Sequence, residues 1–507
     1  MSPLPPTART AGHRDQWTFT FYVLFLVIGI FFGLTIRSGE EWGDDFAMYV
    51  HHAENIATGR AYADTGYIYN PHETDYGPTV YPPIYPLLLS PIIRFFGLNF
   101  IAMKAEQIVF FLIALVLIWV YYRRELASPY LLALLAIIGF NPFFWEFKDA
   151  VSSDLLFLVF FFLAAILIER SPRDEASWYR WALLTGICLY LCIGTRSIGV
   201  MLLPGFVTWE LLRWRKITRF LALSLIVCGV GILLQREIVA TGEASYSLVF
   251  HPTVTTVLKN VSEYKTALVS LWPRSAGRPL SWLLFCLITA LAAFELLKRM
   301  RQKRWTVMEP LLFFYLLLVI LWPANQGLRF LVPAIPFYLC YALLGLAAIT
   351  RSLSVQMRLA PFAALLALIC ISYVGAYRNE NFGAIPQTIG LASFNDLCRY
   401  ISINSSPSDV FVFNRARALS LFTNRPASVY FLSGQLYEAQ DQWKWFQQIQ
   451  VRYVVVSGLF ENDRRFLQPS LQPYRDDLRQ VYQNEDFSLY RIEPATASYS
   501  GQIHNAR

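Results

Sequence analysis

Long uncharged apolar runs alternate with short charged segments over the first three quarters of the chain. The first run, Trp17 to Ile36, holds 20 residues. At 1.5 Å rise per residue, a helix of that length covers the roughly 30 Å hydrocarbon core of a bilayer. Ten further runs follow: Gln107 to Tyr122, Leu126 to Trp145, Leu155 to Ile168, Trp181 to Thr195, Ser197 to Trp209, Phe220 to Gln235, Pro279 to Phe294, Pro310 to Gly327, Phe330 to Thr350 and Leu359 to Tyr377. The pattern predicts a polytopic α-helical membrane protein of about 11 transmembrane helices. The two runs flanking Arg196 hold 15 and 13 residues, so they read either as two spans or as one broken helix.

The periodicity changes in the loops. Within the first loop, Arg37 to Glu106, apolar residues Phe46, Tyr49, Val50, Ala53 and Ala57 recur at steps of three and four before Gly59. This predicts an amphipathic helix from Asp44 to Thr58. A second begins at Tyr81-Pro82-Pro83 and runs through Leu87, Leu88 and Leu89 to Phe96, with prolines at an allowed helix start. Both suit the membrane surface. A second large loop, Arg236 to Arg278, carries His251, Lys259, Tyr264, Lys265, Trp272 and Arg274.

Beyond Tyr377 the pattern is that of a soluble domain. Val410 to Phe413, Ala427 to Leu432, Val451 to Val456 and Phe487 to Ile492 read as strands, and Phe394 to Ile403 and Glu438 to Gln450 as helices, which predicts a small α/β domain. The expected division is a membrane domain of residues 1–377, including the loop 37–106, and a soluble domain of residues 378–507.

Composition agrees with lipid as the main solvent: 55% hydrophobic residues, 16% aromatic, 15% charged and mean hydropathy +0.40. With the N-terminus inside, the six cytoplasmic segments hold 18 Lys and Arg in 64 residues, whereas the segments on the other side hold 12 in about twice that length. That asymmetry places Arg299 inside and Tyr430 outside, with the N-terminus cytoplasmic and the C-terminal domain extracytoplasmic. The stretch with Arg9 and Arg14 reads as the start of a signal anchor, because the apolar run after it is too long for a cleaved signal peptide. The net charge of +8 follows from this topology and from contact with membrane lipids, and it gives no sign of nucleic-acid binding. Six of the seven cysteines lie in apolar runs and only Cys398 lies outside, so no disulfide is expected in the C-terminal domain.

The charged residues next to the runs are the informative ones, since an ionisable group at a bilayer centre costs about 2.5–3.5 kcal/mol on insertion scales. Lys104, Glu106, Lys148, Asp149, Asp154, Arg196 and Arg329 all fall at ends assigned to the extracytoplasmic side. An alternating-access carrier is expected to bind near the midplane, so one outward-facing polar layer favours an enzyme. The pair Asp44-Asp45 belongs to that layer. Against these readings stand simple ones: Lys104 and Arg196 as snorkelling ends of spans, and Asp44 or Asp45 as a helix N-cap. Arg329, abutting a 21-residue apolar run, has a fork suited to a lipid phosphate. Four of six histidines lie in outer loops without metal-site spacing.

Several motifs, in order and on one predicted side, carry a resemblance. Trp42-Gly43-Asp44-Asp45-Phe46-Ala47-Met48-Tyr49, Asn55-Ile56-Ala57-Thr58-Gly59 and Tyr81-Pro82-Pro83-Ile84-Tyr85-Pro86-Leu87-Leu88 resemble the first extracytoplasmic loop of GT-C glycosyltransferases, in the branch of protein O-mannosyltransferases and lipid A aminoarabinose transferases. Ser153-Asp154-Leu155-Leu156-Phe157 is similar to the acidic motif opening the fourth span. Leu328-Arg329-Phe330-Leu331-Val332-Pro333-Ala334-Ile335-Pro336 is similar to the family's Arg-Tyr-Leu-x-Pro stretch, and Asp409 to Pro426 looks like the soluble domain of bacterial members.

The resemblance implies transfer of a sugar from a polyprenyl-phosphate donor to an extracytoplasmic glycan, lipid or protein acceptor, with inversion at the anomeric carbon. It makes Asp44 the general base, with Asp45 standing where the family has Glu. It leaves open a divalent metal, Mg²⁺ or Mn²⁺, on Asp154. Stabilisation of the leaving phosphate falls to Arg329, with Lys148 and Arg196 as candidate donor phosphate-binding residues. The alternatives are a transporter or flippase of a lipid-linked precursor and an inactive accessory subunit with the same fold.

Overall fold

A computed structural model describes residues 11–72, 77–173, 176–239, 250–386, 388–431 and 439–493. Expectations that touch Arg9, part of the Arg236 to Arg278 loop, Leu432 and Glu438 lie outside the described residues. Helices are numbered α1 to α19 and strands β1 to β5 along the chain. Packing groups the chain into two units: residues 1–38, 81–239 and 247–385 form one, and residues 39–80, 240–246 and 386–507 form the other. The expected boundary at residue 377 treats the whole first loop as part of the membrane domain, whereas residues 39–80 group with the C-terminal residues.

The first unit is helical. Its elements are α1 (Ala11–Leu34), α3 (Ile84–Phe96), α4 (Phe100–Tyr122), α5 (Ser128–Gly139), α6 (Pro142–Phe147), α7 (Asp154–Arg170), α8 (Trp178–Thr195), α9 (Leu202–Trp214) and α10 (Arg219–Ile238). They continue with α11 (Val254–Ser270), α12 (Arg278–Gln302), α13 (Met308–Leu321), α14 (Ile335–Ile349) and α15 (Val355–Tyr377). Among the described residues, six of these are long and apolar enough to cross a membrane: Trp17–Leu34, Phe100–Tyr122, Arg219–Glu237, Arg278–Gln302, Ile335–Ser352 and Gln356–Tyr377. Three shorter apolar helices, Ile84–Phe96, Ser128–Gly139 and Met308–Leu321, accompany them. Every apolar run of the sequence coincides with helix. Exposed Phe19, Leu26 and Leu34 on α1 and Leu233 and Leu234 on α10 are what a lipid-facing surface requires.

The breaks have local causes. Asn141 interrupts the run from Leu126 to Trp145, and its Oδ1 accepts from Phe143 N at 2.9 Å, capping α6. Arg196 ends α8 with an extended backbone (φ −146°, ψ 128°) before a 3₁₀ turn at Ser197–Met201. Small residues let helices approach closely: a Cβ on Gly186 of α8 would lie 2.6 Å from Ser224 O of α10, and one on Gly345 of α14 would collide with Leu291 O of α12.

The second unit contains α2 (Asp45–Thr58), α16 (Ala392–Asn404), α17 (Ala416–Thr423), α18 (Ala439–Gln448) and α19 (Gln468–Leu471). A five-stranded sheet runs in the order β2-β1-β3-β5-β4, built from β1 (Val410–Val412), β2 (Ala427–Ser428), β3 (Val451–Ser457), β4 (Leu478–Gln483) and β5 (Phe487–Ile492). β2, β1 and β3 are parallel, whereas β5 is antiparallel to both β3 and β4. Strand β4 escaped sequence reading because Leu478–Gln483 is largely polar, with no alternation to mark it. The first loop adds to the β2 edge: Tyr67 bridges Ala427, Ile68 N donates to Ala427 O at 2.8 Å and Ala427 N donates to Gly66 O at 3.0 Å. The interior combines Val412, Tyr430, Phe431, Phe446 and Val454.

Helix α2 ends where its sequence predicts. Gly59 takes φ 72° and its N–H reaches back to Asn55 O and Ile56 O, a left-handed cap that suits glycine. The surroundings of the helix differ from expectation. Residues Phe46 to Ala53 are buried, including His51 and His52, and α2 packs against α17. Its apolar period is met by protein.

Candidate functional site

Three clusters hold the charged residues that the sequence singles out. The first lies in the helical unit, where α7 begins with Asp154, α8 ends at Arg196, and a 3₁₀ turn at Gly327–Leu331 carries Arg329 between α13 and α14. The Asp154 carboxylate is 3% exposed. Arg329 Nε donates to its Oδ2 at 2.9 Å, and Arg196 Nη1 donates to its Oδ1. Arg329 Nη1 also donates to Gln326 Oε1 at 3.0 Å. The Arg196 guanidinium stands 5.6 Å from the Phe330 ring centroid, and Tyr315 fixes the backbone of that turn by donating to Phe330 O at 2.9 Å. Two guanidinium groups thus share one carboxylate and leave a surplus positive charge, the electrostatic condition for holding an anion.

Next to this cluster is an apolar cavity of about 460 Å³ between α11, α12, α13 and α14. Val261, Leu268, Phe285, Leu316, Leu331 and Ala334 line it. Leu331 and Ala334 follow Arg329 in the same segment, so the cationic turn and the greasy cavity share a backbone. The cavity is long enough in sequence terms to reach from Lys265 and Tyr264 at one end of α11 to Tyr341 on α14.

Asp154 was a candidate metal ligand, and the donor set there does not fit a divalent cation. Each of its oxygens accepts from a guanidinium. Among the described residues, no group of three or more His, Cys, Asp or Glu side chains converges.

Lys148 belongs to a second cluster in the same unit. It is fully buried and donates from Nζ to Asp149 Oδ2 at 2.7 Å. Arg37 donates to the same oxygen from Nε at 2.7 Å and to Oδ1 from its backbone N–H at 3.2 Å. Lys104 Nζ donates to Arg37 O at 2.9 Å, and Arg37 Nη1 lies 3.6 Å from Glu380. Trp145 takes Arg37 at 4.7 Å and Lys148 at 4.5 Å from its ring centroid. Snorkelling was the simple reading of Lys104, but its ammonium is buried and hydrogen-bonded.

Asp44 and Asp45 form the third cluster, in the second unit. Asp44 occupies the N-cap position of α2 (φ −69°, ψ −17°) yet makes no side-chain capping bond, so helix capping does not account for its carboxylate. Asp45 lies in the first turn, where a carboxylate complements the helix dipole. Its Oδ1 lies 4.0 Å from Nη1 of Arg417 on α17. His51 and His52 follow on the same helix, and burial pushes both down to about pH 4, so they are neutral near pH 7. His52 Nδ1 pairs with Tyr62 O at 2.7 Å and its ring stacks on Tyr62 at 4.0 Å. Sequence reasoning missed Arg417 and Trp42; nothing local marks Arg417, whose carboxylate partner lies near the other end of the chain.

No family model and no curated protein matches the chain. Solved structures do. ArnT from Cupriavidus metallidurans bound to undecaprenyl phosphate aligns with TM-score 0.56 and 14% identity, over 93% of this chain and 98% of that one. The archaeal oligosaccharyltransferase AglB from Archaeoglobus fulgidus, in complex with an inhibitory peptide and a dolichol-phosphate, aligns with TM-score 0.56 and 12% identity, over 87% of this chain and 69% of that one. A mutant of the mycobacterial arabinofuranosyltransferase AftD aligns with TM-score 0.52 and 11% identity over 97% of this chain and 42% of that one. The chain therefore has the fold of the GT-C superfamily of polyprenyl-phosphate-dependent glycosyltransferases.

Proposed function

We propose that the protein is an integral-membrane glycosyltransferase that moves a sugar from a polyprenyl-phosphate donor to an extracytoplasmic acceptor, with its N-terminus cytoplasmic. The observation that carries this reading is the pairing of Arg329 and Arg196 on Asp154 beside an apolar cavity between α11 and α14. A polyprenyl-phosphate has that same duality, an anionic head on a long hydrocarbon chain. The GT-C fold supports the reading.

In this reading Arg329 and Arg196 hold the donor phosphate, and Lys148 holds the Arg37 end of the first loop through Asp149. An acceptor hydroxyl is a poor nucleophile until its proton is taken. The Asp44 carboxylate accepts that proton as the hydroxyl oxygen bonds to the anomeric carbon from the face opposite the phosphate. The bond from the anomeric carbon to the phosphate oxygen breaks, and its electron pair leaves on the lipid phosphate, where guanidinium charge stabilises it. Attack from the opposite face inverts the anomeric configuration. Radiolabel transfer from a panel of undecaprenyl-phosphate sugars to membrane fractions tests the proposal. Label appearing in a product only with the intact protein supports it; the absence of transfer from every donor, together with donor passage across vesicles, would replace it with transport.

A further inference from the structure

The acidic pair is held from the C-terminal part of its own unit at two points. Trp42, two residues before Asp44, stands edge-on to Phe394 at 4.9 Å and to Phe460 at 5.3 Å, with Phe413 at 6.5 Å and Phe487 at 6.4 Å between ring centroids. Four rings from α16, β5 and the segments after β1 and β3 thereby fix the backbone that leads into Asp44. The second point is Arg417 on α17. It is 3% exposed, with its guanidinium 4.9 Å from the Tyr67 ring centroid and Nη1 4.0 Å from Asp45 Oδ1. The Asp45 side chain is 33% exposed. A buried guanidinium meets a carboxylate whose other side is open to solvent.

Two adjacent carboxylates repel, and in such a pair one tends to hold a proton. A fixed cation beside one of them relieves that repulsion. We propose that Arg417 is a positioning residue for the acidic pair: it keeps Asp45 ionised and turned toward α17, which leaves proton abstraction to Asp44. The proposal rests on the reading of Asp44 as the general base. The other ionisable groups on the packed elements are Asp44, His51 and His52 on α2, Tyr62 and Tyr67 in the segment after it, and Arg415 beside Arg417. Both histidines are neutral near pH 7 and the tyrosines carry no charge there, so Arg417 is the charge facing Asp45.

The test is the pH dependence of transfer by the full-length protein in lipid nanodiscs, using whichever undecaprenyl-phosphate sugar the wild type turns over. Arg417→Met retains much of the side-chain volume and removes the charge. It is expected to lower kcat/KM about tenfold on the acid side of the optimum and to move the acid limb up by about one pH unit, since each unit is a factor of ten in proton affinity. Arg417→Lys is expected to keep the acid limb at its wild-type position. In an Asp45→Asn background, Arg417→Met should cost little more, because the group it acts through is gone. Uniform loss at every pH, or full additivity with Asp45→Asn, would make Arg417 merely structural while leaving Asp44 intact as the base. A shift in Arg417→Lys equal to that in Arg417→Met would also overturn the proposal, and it remains measurable if the Met variant does not fold. Wild-type transfer by Asp44→Asn would sink the base assignment, a result separate from either of these.

Discussion

Arg329 and Asp154 meet at 2.9 Å across 175 positions of sequence, joining the turn before α14 to the first residue of α7. Arg196 completes the arrangement on the other carboxylate oxygen. The turn that carries the guanidinium also lines the apolar cavity. Affinity for an anionic lipid and the packing of three helices are thus tied to the same few side chains.

Replacement of Arg329 by Ala is expected to raise the apparent KM for a polyprenyl-phosphate donor roughly tenfold or more, with partial recovery in Arg329→Lys. A lysine restores the charge and not the two-pronged fork that reaches Asp154 and Gln326. Unchanged donor affinity in Arg329→Ala would return the residue to a purely structural role.

Asp154→Asn strips the charge that two guanidinium groups share. Loss of one partner from a buried ion cluster costs about 3–5 kcal/mol, so the melting temperature should fall clearly. Because its oxygens are committed to arginines, wild-type transfer should survive EDTA. Activity that EDTA abolishes and Mn²⁺ restores would contradict that assignment.

Asp44→Asn should lower turnover by about 10²-fold or more with donor affinity retained, because it removes the proton acceptor and little else. Its stability should be near wild type, since no capping bond is lost. Asp45→Asn is expected to cost less. If the order of the two losses is reversed, the roles are exchanged.

A buried carboxylate in the C-terminal sheet gives a pH prediction. Asp463 is fully buried, accepts from Ser457 N at 2.6 Å and from the Tyr430 hydroxyl, and burial raises its pKa from 3.8 to about 6. The folded state holds the proton more tightly than the unfolded chain. Stability from this group is therefore fully present below pH 4, declines as pH rises from 4 to 6, and is flat above, by on the order of 3 kcal/mol. Asp463→Asn should remove that slope from the melting temperature of the full-length protein. A wild-type slope unchanged in the variant would mean that Asp463 ionises normally.

The orientation is testable at exposed positions. Cysteines placed at Arg301 and Ser408 of a cysteine-free background should differ in labelling by a membrane-impermeant maleimide in intact cells, with position 408 labelled and position 301 protected. The opposite pattern would invert the topology and the side on which transfer is proposed.

Much of this was legible in the sequence because hydrophobic period and punctuation are local. The eleven runs found helices, Gly59 marked the end of α2, and four of the five strands announced themselves by β-branched and aromatic residues. Asp154, Arg196 and Arg329 were each visible as charges at the ends of apolar runs, but their convergence on one carboxylate was not, since it depends on how three distant helices pack. The same limit hid Arg417. Amphipathicity shows that α2 has a buried face and not what buries it, so a helix expected on the membrane surface proves to pack against α17.

The bridge between Tyr67 and Ala427 sets an order on biosynthesis. The segment carrying Asp44 and Asp45 is among the earliest parts of the chain to leave the ribosome, whereas the strand edge, the arginine and the aromatic rings that hold it are made among the last. Contacts this distant close late, after the entropy of a very long loop has been overcome. A nascent or truncated chain can fill the membrane with helices and still lack an assembled acidic pair, so a polypeptide interrupted before residue 386 is expected to insert and remain inert.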